Sequence, residues 1–190
     1  NYINLDTDSL LFNFYSNKLE GIKEMKPIWK RSINKIETLL GEVLGKLYVS
    51  KYFSVEDKNK VLEMIKFIKK TLRQRLLNNN WMTSETKNKA VEKLSKMDFK
   101  IGYPDVWRDI KDYDISKNNT FFENSLICLL NEAKYNNNYL GNKKDTNRWF
   151  MYPHMVNAYY SPLSNEIVFP AGILQNPFFS SQNNIGMNFG

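Results

Sequence analysis

The sequence predicts a mainly α chain that carries one small β-hairpin. Three observations lead there. Apolar residues recur every three or four positions through long stretches of residues 29–97, the period of a helix with one buried face. Polar residues suited to helix N-termini, Ser54, Thr83 and Thr120, each stand immediately before a helical stretch. The pattern then changes near Val156, where side chains alternate between two faces and a Pro- and Ser-containing turn separates two short runs.

Residues 1–28 carry Phe12, Phe14, Tyr15 and Leu19, which suggest a short helix ending near Gly21, and Pro27 opens the next element. From Trp29, the positions Ile33, Ile36, Leu40, Val43, Leu44 and Leu47 mark an amphipathic helix to about Tyr52. Ser54-Val55-Glu56-Asp57 reads as a capping signal with Asp in place of the usual Glu. The helix it opens carries Val61, Ile65, Ile68, Leu72 and Leu76 on one face and ends at Asn78-Asn79-Asn80. Trp81-Met82 is expected to pack at the corner. Thr83 caps a helix over Ser84–Met97, with Glu85 at its positive end. Gly102-Tyr103-Pro104-Asp105 is a turn.

A polar link over 106–119 precedes Thr120-Phe121-Phe122-Glu123, a capping box that opens a helix to about Tyr135. The Asn-, Gly- and Lys-rich stretch from there to Arg148 reads as a surface loop. Val156–Tyr160 and Glu166–Phe169 are the strands of the hairpin, joined by Ser161–Asn165, and Pro170 stops the second. The pattern shows no internal repeat and no heptad run.

Composition narrows the classes. The chain has 190 residues, 42% hydrophobic and 14% aromatic, enough for an ordinary globular core. No run approaches the roughly 18 apolar residues of a membrane span. The start, Asn1 to Leu5, lacks the basic and apolar regions of a signal peptide, and it also lacks an initiator Met. The single cysteine, Cys128, excludes an internal disulfide and sits among Leu126, Leu129 and Leu130 as a buried thiol. The Asn118-Asn119-Thr120 sequon matters only in a secreted protein. The net charge of +7 is concentrated in residues 1–100, which carry +8 against −1 for the remainder. Lysines on solvated helix faces account for it. A nucleic-acid role for Lys66–Arg75 would need aromatic interleaving, and that helix offers only Phe67.

The hairpin is the candidate site. An exposed sheet edge can accept an extended peptide as an added strand. Asn157 carries amide donors and an acceptor on one side chain, and Ala158 is small enough to admit a second backbone. The same pattern also suits a hairpin whose polar residues simply face water.

Longer runs of sequence favour the first reading. Asn157-Ala158-Tyr159-Tyr160-Ser161-Pro162, then Asn165 through Gln175 (NEIVFPAGILQ) and Pro177-Phe178-Phe179, resemble a signature of the neprilysin and endothelin-converting-enzyme family of zinc metalloendopeptidases. Leu47-Tyr48-Val49, Tyr52-Phe53, Trp81-Met82, Glu85-Thr86-Lys87, Ala90 and Lys100–Asp105 follow the same family's order, so the resemblance runs from about Trp29 to Gly190. It implies a helical lobe, placed at residues 1–118, followed by the start of a thermolysin-like α+β catalytic lobe at 119–190. It implies that Asn157 and Ala158 lie beside the active site and hydrogen-bond the substrate backbone. It also implies zinc as cofactor, and peptides and the remainder of the same peptidase chain as partners, with no nucleic acid. Ser32 stands where secreted animal members carry a disulfide-forming cysteine; with the lone Cys128, this points toward a reducing, cytoplasmic compartment.

Zinc peptidase chemistry needs three protein ligands and a carboxylate base, and His-Glu-x-x-His supplies most of that set on one helix. This chain has one histidine, His154, so no such motif is present. By resemblance the zinc-binding helix is expected beyond Gly190, and residues 1–190 alone are expected not to hydrolyse peptides. A truncated, non-catalytic peptide-binding paralogue is the alternative. Asp105 and Asp109 could share a helix face but are expected to be solvated, and one of Tyr159 and Tyr160 is expected in the core. Ile167, Phe169, Ile173 and Phe178 are expected to be exposed where a further lobe would cover them.

Overall fold

The computed structural model describes residues 4–142 and 145–190. The first three positions of the amino-terminal stretch, and residues 143–144 of the Asn-rich loop, lie outside them. The helices are α1 (Leu5–Leu11), a π-helix (Phe12–Leu19), α2 (Ile28–Tyr52), α3 (Val55–Leu77), α4 (Ser84–Ser95), α5 (Phe121–Asn137) and α6 (Ile185–Phe189). The strands are β1 (Asp98–Gly102), β2 (Tyr159–Ser161) and β3 (Glu166–Pro170). The chain is mainly helical with a small sheet, as its periodicity indicates. No helix among the described residues is long and apolar enough to cross a membrane.

The chain divides into two compact units, each made of two segments. Residues 1–41 and 108–146 form one; residues 42–107 and 147–190 form the other. Helix α2 contributes to both, and its only non-helical backbone, at Leu40 (φ −139°, ψ 35°), lies beside the division.

In the first unit, the Asn4 side chain accepts from the Thr7 amide and caps α1, and Gly21 takes the left-handed conformation (φ 73°) that ends the second helix. Arg31 of α2 pairs with Asp8. Thr120 and Glu123 form the expected capping box at α5. Inside that helix, the buried Ser125 hydroxyl donates to the Phe121 carbonyl at 2.7 Å, and Cys128 is buried. Arg108 pairs with Glu132, and its guanidinium lies 3.8 Å from the centre of the Tyr135 ring.

In the second unit, Ser54 and Asp57 cap α3 reciprocally, so the shorter acid still closes the box. Thr83 caps α4, which ends two residues earlier than its apolar pattern suggests because Asp98 begins a strand. The sheet order is β1-β3-β2, with β1 parallel and β2 antiparallel to β3. Phe99, Ile101 and Phe169 share one sheet face and pack with Val61, Leu62 and Ile65 of α3 and with Phe179. Lys100, Tyr159, Glu166 and Val168 share the opposite face by register. Val168 has no exposed surface.

Several expectations are corrected here. The first hairpin strand begins at Tyr159, not Val156, and the turn is Pro162–Asn165, with Asn165 at φ 50°. The turn places Asn165 where its amide donates to the Lys93 carbonyl at the end of α4. Ile167, Phe169 and Ile173 are half-buried within the unit, because β3 is the central strand; Phe178 alone of the four is exposed. Asp105 and Asp109 share no helix, and both carboxylates are solvated, as expected. Lys58 holds both the Tyr103 carbonyl and the Asp105 carboxylate, while Asp109 accepts from the Lys111 amide, so each acid closes a local contact of its own. Trp81 is 78% exposed, since the corner is made by Asn79, whose carboxamide oxygen accepts from the Trp81 and Met82 amides.

Candidate functional site

The hairpin face is assembled by contacts far apart in sequence. Glu166 opens β3 and is 1% exposed. Its Oε2 lies 3.0 Å from Nζ of Lys100, which stands on β1 two residues past Asp98, the register partner of Glu166. The same ammonium donates to the Arg148 carbonyl at 2.7 Å. Two residues on, the Phe150 amide donates to the Tyr159 hydroxyl at 3.2 Å. Burial pushes the Tyr159 phenol above its ordinary value; the Phe150 bond opposes the rise and the Glu166 carboxylate adds to it. Tyr159 is thus the half-buried member of the tyrosine pair, and Tyr160 is the exposed one, 41% accessible.

Pro153 begins a turn wedged between two glycines. A Cβ on Gly45 of α2 would lie 2.5 Å from Pro153 Cδ. A Cβ on Gly172 would lie 2.4 Å from the His154 carbonyl oxygen and 2.6 Å from that of Met155. The Gly172 amide donates to the Pro153 carbonyl at 2.8 Å. Glycine is required at both positions because the backbone or the proline ring fills the space a side chain would take. The ring of His154 stacks on Tyr152, with centroids 5.9 Å apart and planes 9° from parallel.

Asn157 and Ala158 follow this clamp and lead directly into β2. Asn157 is exposed and Ala158 half-exposed. The Ala158 amide donates to the Asn157 side-chain oxygen at 2.8 Å, which explains why the strand starts one residue later. A peptide that takes the Ala158 N–H must displace that oxygen. Strand β2 is an edge: β3 is its only strand partner among the described residues.

The donor set for zinc does not fit within these residues. Among the described residues no group of three His, Cys, Asp or Glu side chains could hold a metal. His154 stacks on a tyrosine, and Cys128 is buried in the other unit, its thiol pushed up by that burial. The Lys100–Glu166–Arg148 linkage is not marked in the sequence; its only signal is that charged residues, Lys100 and Glu166 among them, stand in two short strands with apolar neighbours.

Comparison with known proteins agrees with this architecture. Residues 1–104 match one profile described as peptidase family M13, and residues 157–190 match a second with the same description. The chain is 35% identical over 184 residues to membrane metallo-endopeptidase-like 1 of Mus musculus, covering 93% of this chain and 24% of that protein. It is 34% identical over 183 residues to neutral endopeptidase of Lactococcus lactis, covering 95% and 29%. Among solved structures, the open state of the Mycobacterium tuberculosis zinc metalloprotease Zmp1 superimposes with a TM-score of 0.88 at 34% identity, over 96% of this chain and 28% of that one. PepO of Lactobacillus rhamnosis gives 0.87 at 33%, over 100% and 30%. The chain spans about a quarter of the length of these relatives. With its first 104 residues and its hairpin both matched, the chain belongs to peptidase family M13.

Proposed function

We propose that residues 1–190 are part of a zinc-dependent metalloendopeptidase, and that Asn157, Ala158 and the edge of β2 hold the substrate backbone. The observation that carries this reading is the open edge of β2, reached through a clamped segment, in a chain of peptidase family M13. An extended peptide laid along that edge gains main-chain hydrogen bonds in a fixed register, which presents one peptide bond at a constant position. The Asn157 amide adds a donor and an acceptor for the same backbone.

In this reading, residues 1–118 belong to a helical lobe and 119–190 begin the catalytic lobe. The zinc ligands and the general base are supplied beyond Gly190. Zinc held there would supply Lewis-acid chemistry, activating a water and polarising the substrate carbonyl. The remainder of the same chain is the partner for exposed apolar groups such as Phe178, at 63% exposure. Ser32 and the free, buried Cys128 suit a reducing compartment.

The test is to express the protein from its complete coding sequence and assay fluorogenic peptides with and without a zinc chelator. Chelator-sensitive cleavage, weakened in Asn157→Ala, supports the reading. Peptide binding without cleavage identifies a non-catalytic peptide-binding paralogue, and neither binding nor cleavage overturns both.

A further inference from the structure

We propose that Lys100 and Glu166 are positioning residues for the substrate strand, acting through the Arg148 carbonyl. This rests on the reading of Asn157 and Ala158 given above. Strands β1 and β3 are 60 or more residues apart in sequence, and by register Asp98 and Lys100 of β1 share one sheet face with Glu166 and Val168 of β3 and Tyr159 of β2. Glu166 is 1% exposed, and the side chain of Lys100 is 12% exposed. A buried ion pair of this kind contributes little net stability, since desolvation offsets the attraction. Its geometry does something more specific. Lys100 spans Glu166 Oε2 at 3.0 Å and the Arg148 carbonyl at 2.7 Å, so it ties the segment before the hairpin to the centre of the sheet.

That segment is tied a second time, from the Phe150 amide to the Tyr159 hydroxyl at 3.2 Å, one residue past Ala158. A third hold comes from Pro153 against Gly45 and from the His154–Met155 backbone against Gly172, whose amide donates to the Pro153 carbonyl. Residues 148–159 are therefore pinned at both ends and in the middle, with Asn157 and Ala158 inside the span. Here the ammonium uses one donor to fix where the candidate peptide-binding edge begins.

The test uses the full-length protein and two probes: acetyl-Ala-Ala-Phe-Phe-Ala-Ala-amide, and the same peptide methylated at every backbone nitrogen so that it cannot pair as a strand. Lys100→Met combined with Glu166→Leu removes the tether while leaving no unpaired buried charge, so folding is expected to survive. Asn157→Ala is expected to weaken the unmethylated peptide by about three- to tenfold, the worth of one or two hydrogen bonds. The double variant is expected to weaken it by a similar factor, with the methylated peptide unchanged. Combining all three substitutions is expected to cost about as much as Asn157→Ala alone, because the tether acts through the strand that Asn157 belongs to.

If Asn157→Ala changes neither affinity, the substrate-strand reading fails. If Asn157→Ala weakens the peptide while the tether variant does not, or if the two losses multiply independently, the positioning inference fails and the strand reading stands. Should that variant not fold, Lys100→Gln combined with Glu166→Gln decides. It leaves no buried charge and keeps a polar pair, but replaces the ammonium that holds the Arg148 carbonyl with a shorter amide; the same loss, confined to the unmethylated peptide, is expected, and an unchanged affinity overturns the inference.

Discussion

Gly172→Ala is the sharpest test of how the hairpin is held. The substitution places a Cβ 2.4 Å from the His154 carbonyl oxygen, 2.6 Å from that of Met155 and 2.7 Å from the His154 carbonyl carbon. Close carbon–oxygen contacts in proteins settle at about 3.3 Å or more, so the backbone at 154–155 must retreat by roughly 0.9 Å. All three neighbours are main-chain atoms, and no side-chain rotation relieves them. The retreat also stretches the 2.8 Å bond from the Gly172 amide to the Pro153 carbonyl. Overpacking of this kind costs about 1–3 kcal/mol. Against it stands a gain of about 0.4–1 kcal/mol from stiffening the unfolded chain, available because Gly172 needs no left-handed conformation. The net expectation is a loss of roughly 1–2 kcal/mol, read by urea unfolding, with faster hydrogen exchange across residues 152–174. Gly186→Ala is the control: its nearest neighbour is the Asn184 side-chain oxygen at 3.3 Å, and its effect is expected within about 0.5 kcal/mol. A Gly172→Ala protein as stable as the parent, with unchanged exchange, would refute the clamp.

Other outcomes follow from the same contacts. Ser54→Ala removes the acceptor for the Asp57 amide and is expected to cost about 1 kcal/mol in urea unfolding. Burial works to raise the Asp57 carboxyl, but bonds from Ser181 and Ser54 and the charge of Lys60 hold it below the usual carboxylate value. Its folded pKa is therefore depressed, so its stabilisation is complete above the unfolded value of about 4 and is lost as pH falls through the folded value. Helix content followed against pH should show that acid loss shrink in Asp57→Asn. Cys128 is 3% exposed with its thiol raised by burial, so a thiol reagent at neutral pH is expected to react only as the protein unfolds; fast labelling of the native protein would contradict its placement.

The helices and their caps were legible because their signals are local. Ser54 with Asp57, Thr83, and Thr120 with Glu123 each act within one turn, and all three cap as their residue types indicate. The break at Leu40 was not legible, because the apolar spacing from Ile33 to Leu47 runs through it without interruption. Strand β1 was missed for a different reason. It has two apolar positions, Phe99 and Ile101, and its partner β3 lies more than 60 residues away, so neither length nor a nearby turn marks it. The same distance hid the Lys100–Glu166 contact. Asn157 and Ala158 stand out in the sequence through residue type and resemblance, but not their conformation: the Asn157 side chain takes the Ala158 amide and delays the strand to Tyr159.

The most direct measurement is hydrogen exchange of the full-length protein with and without saturating acetyl-Ala-Ala-Phe-Phe-Ala-Ala-amide. A substrate strand along β2 predicts slowed exchange at residues 157–161, with the basic helix face at 66–75 unchanged. Exchange at 157–161 that is unaffected by bound peptide would contradict it.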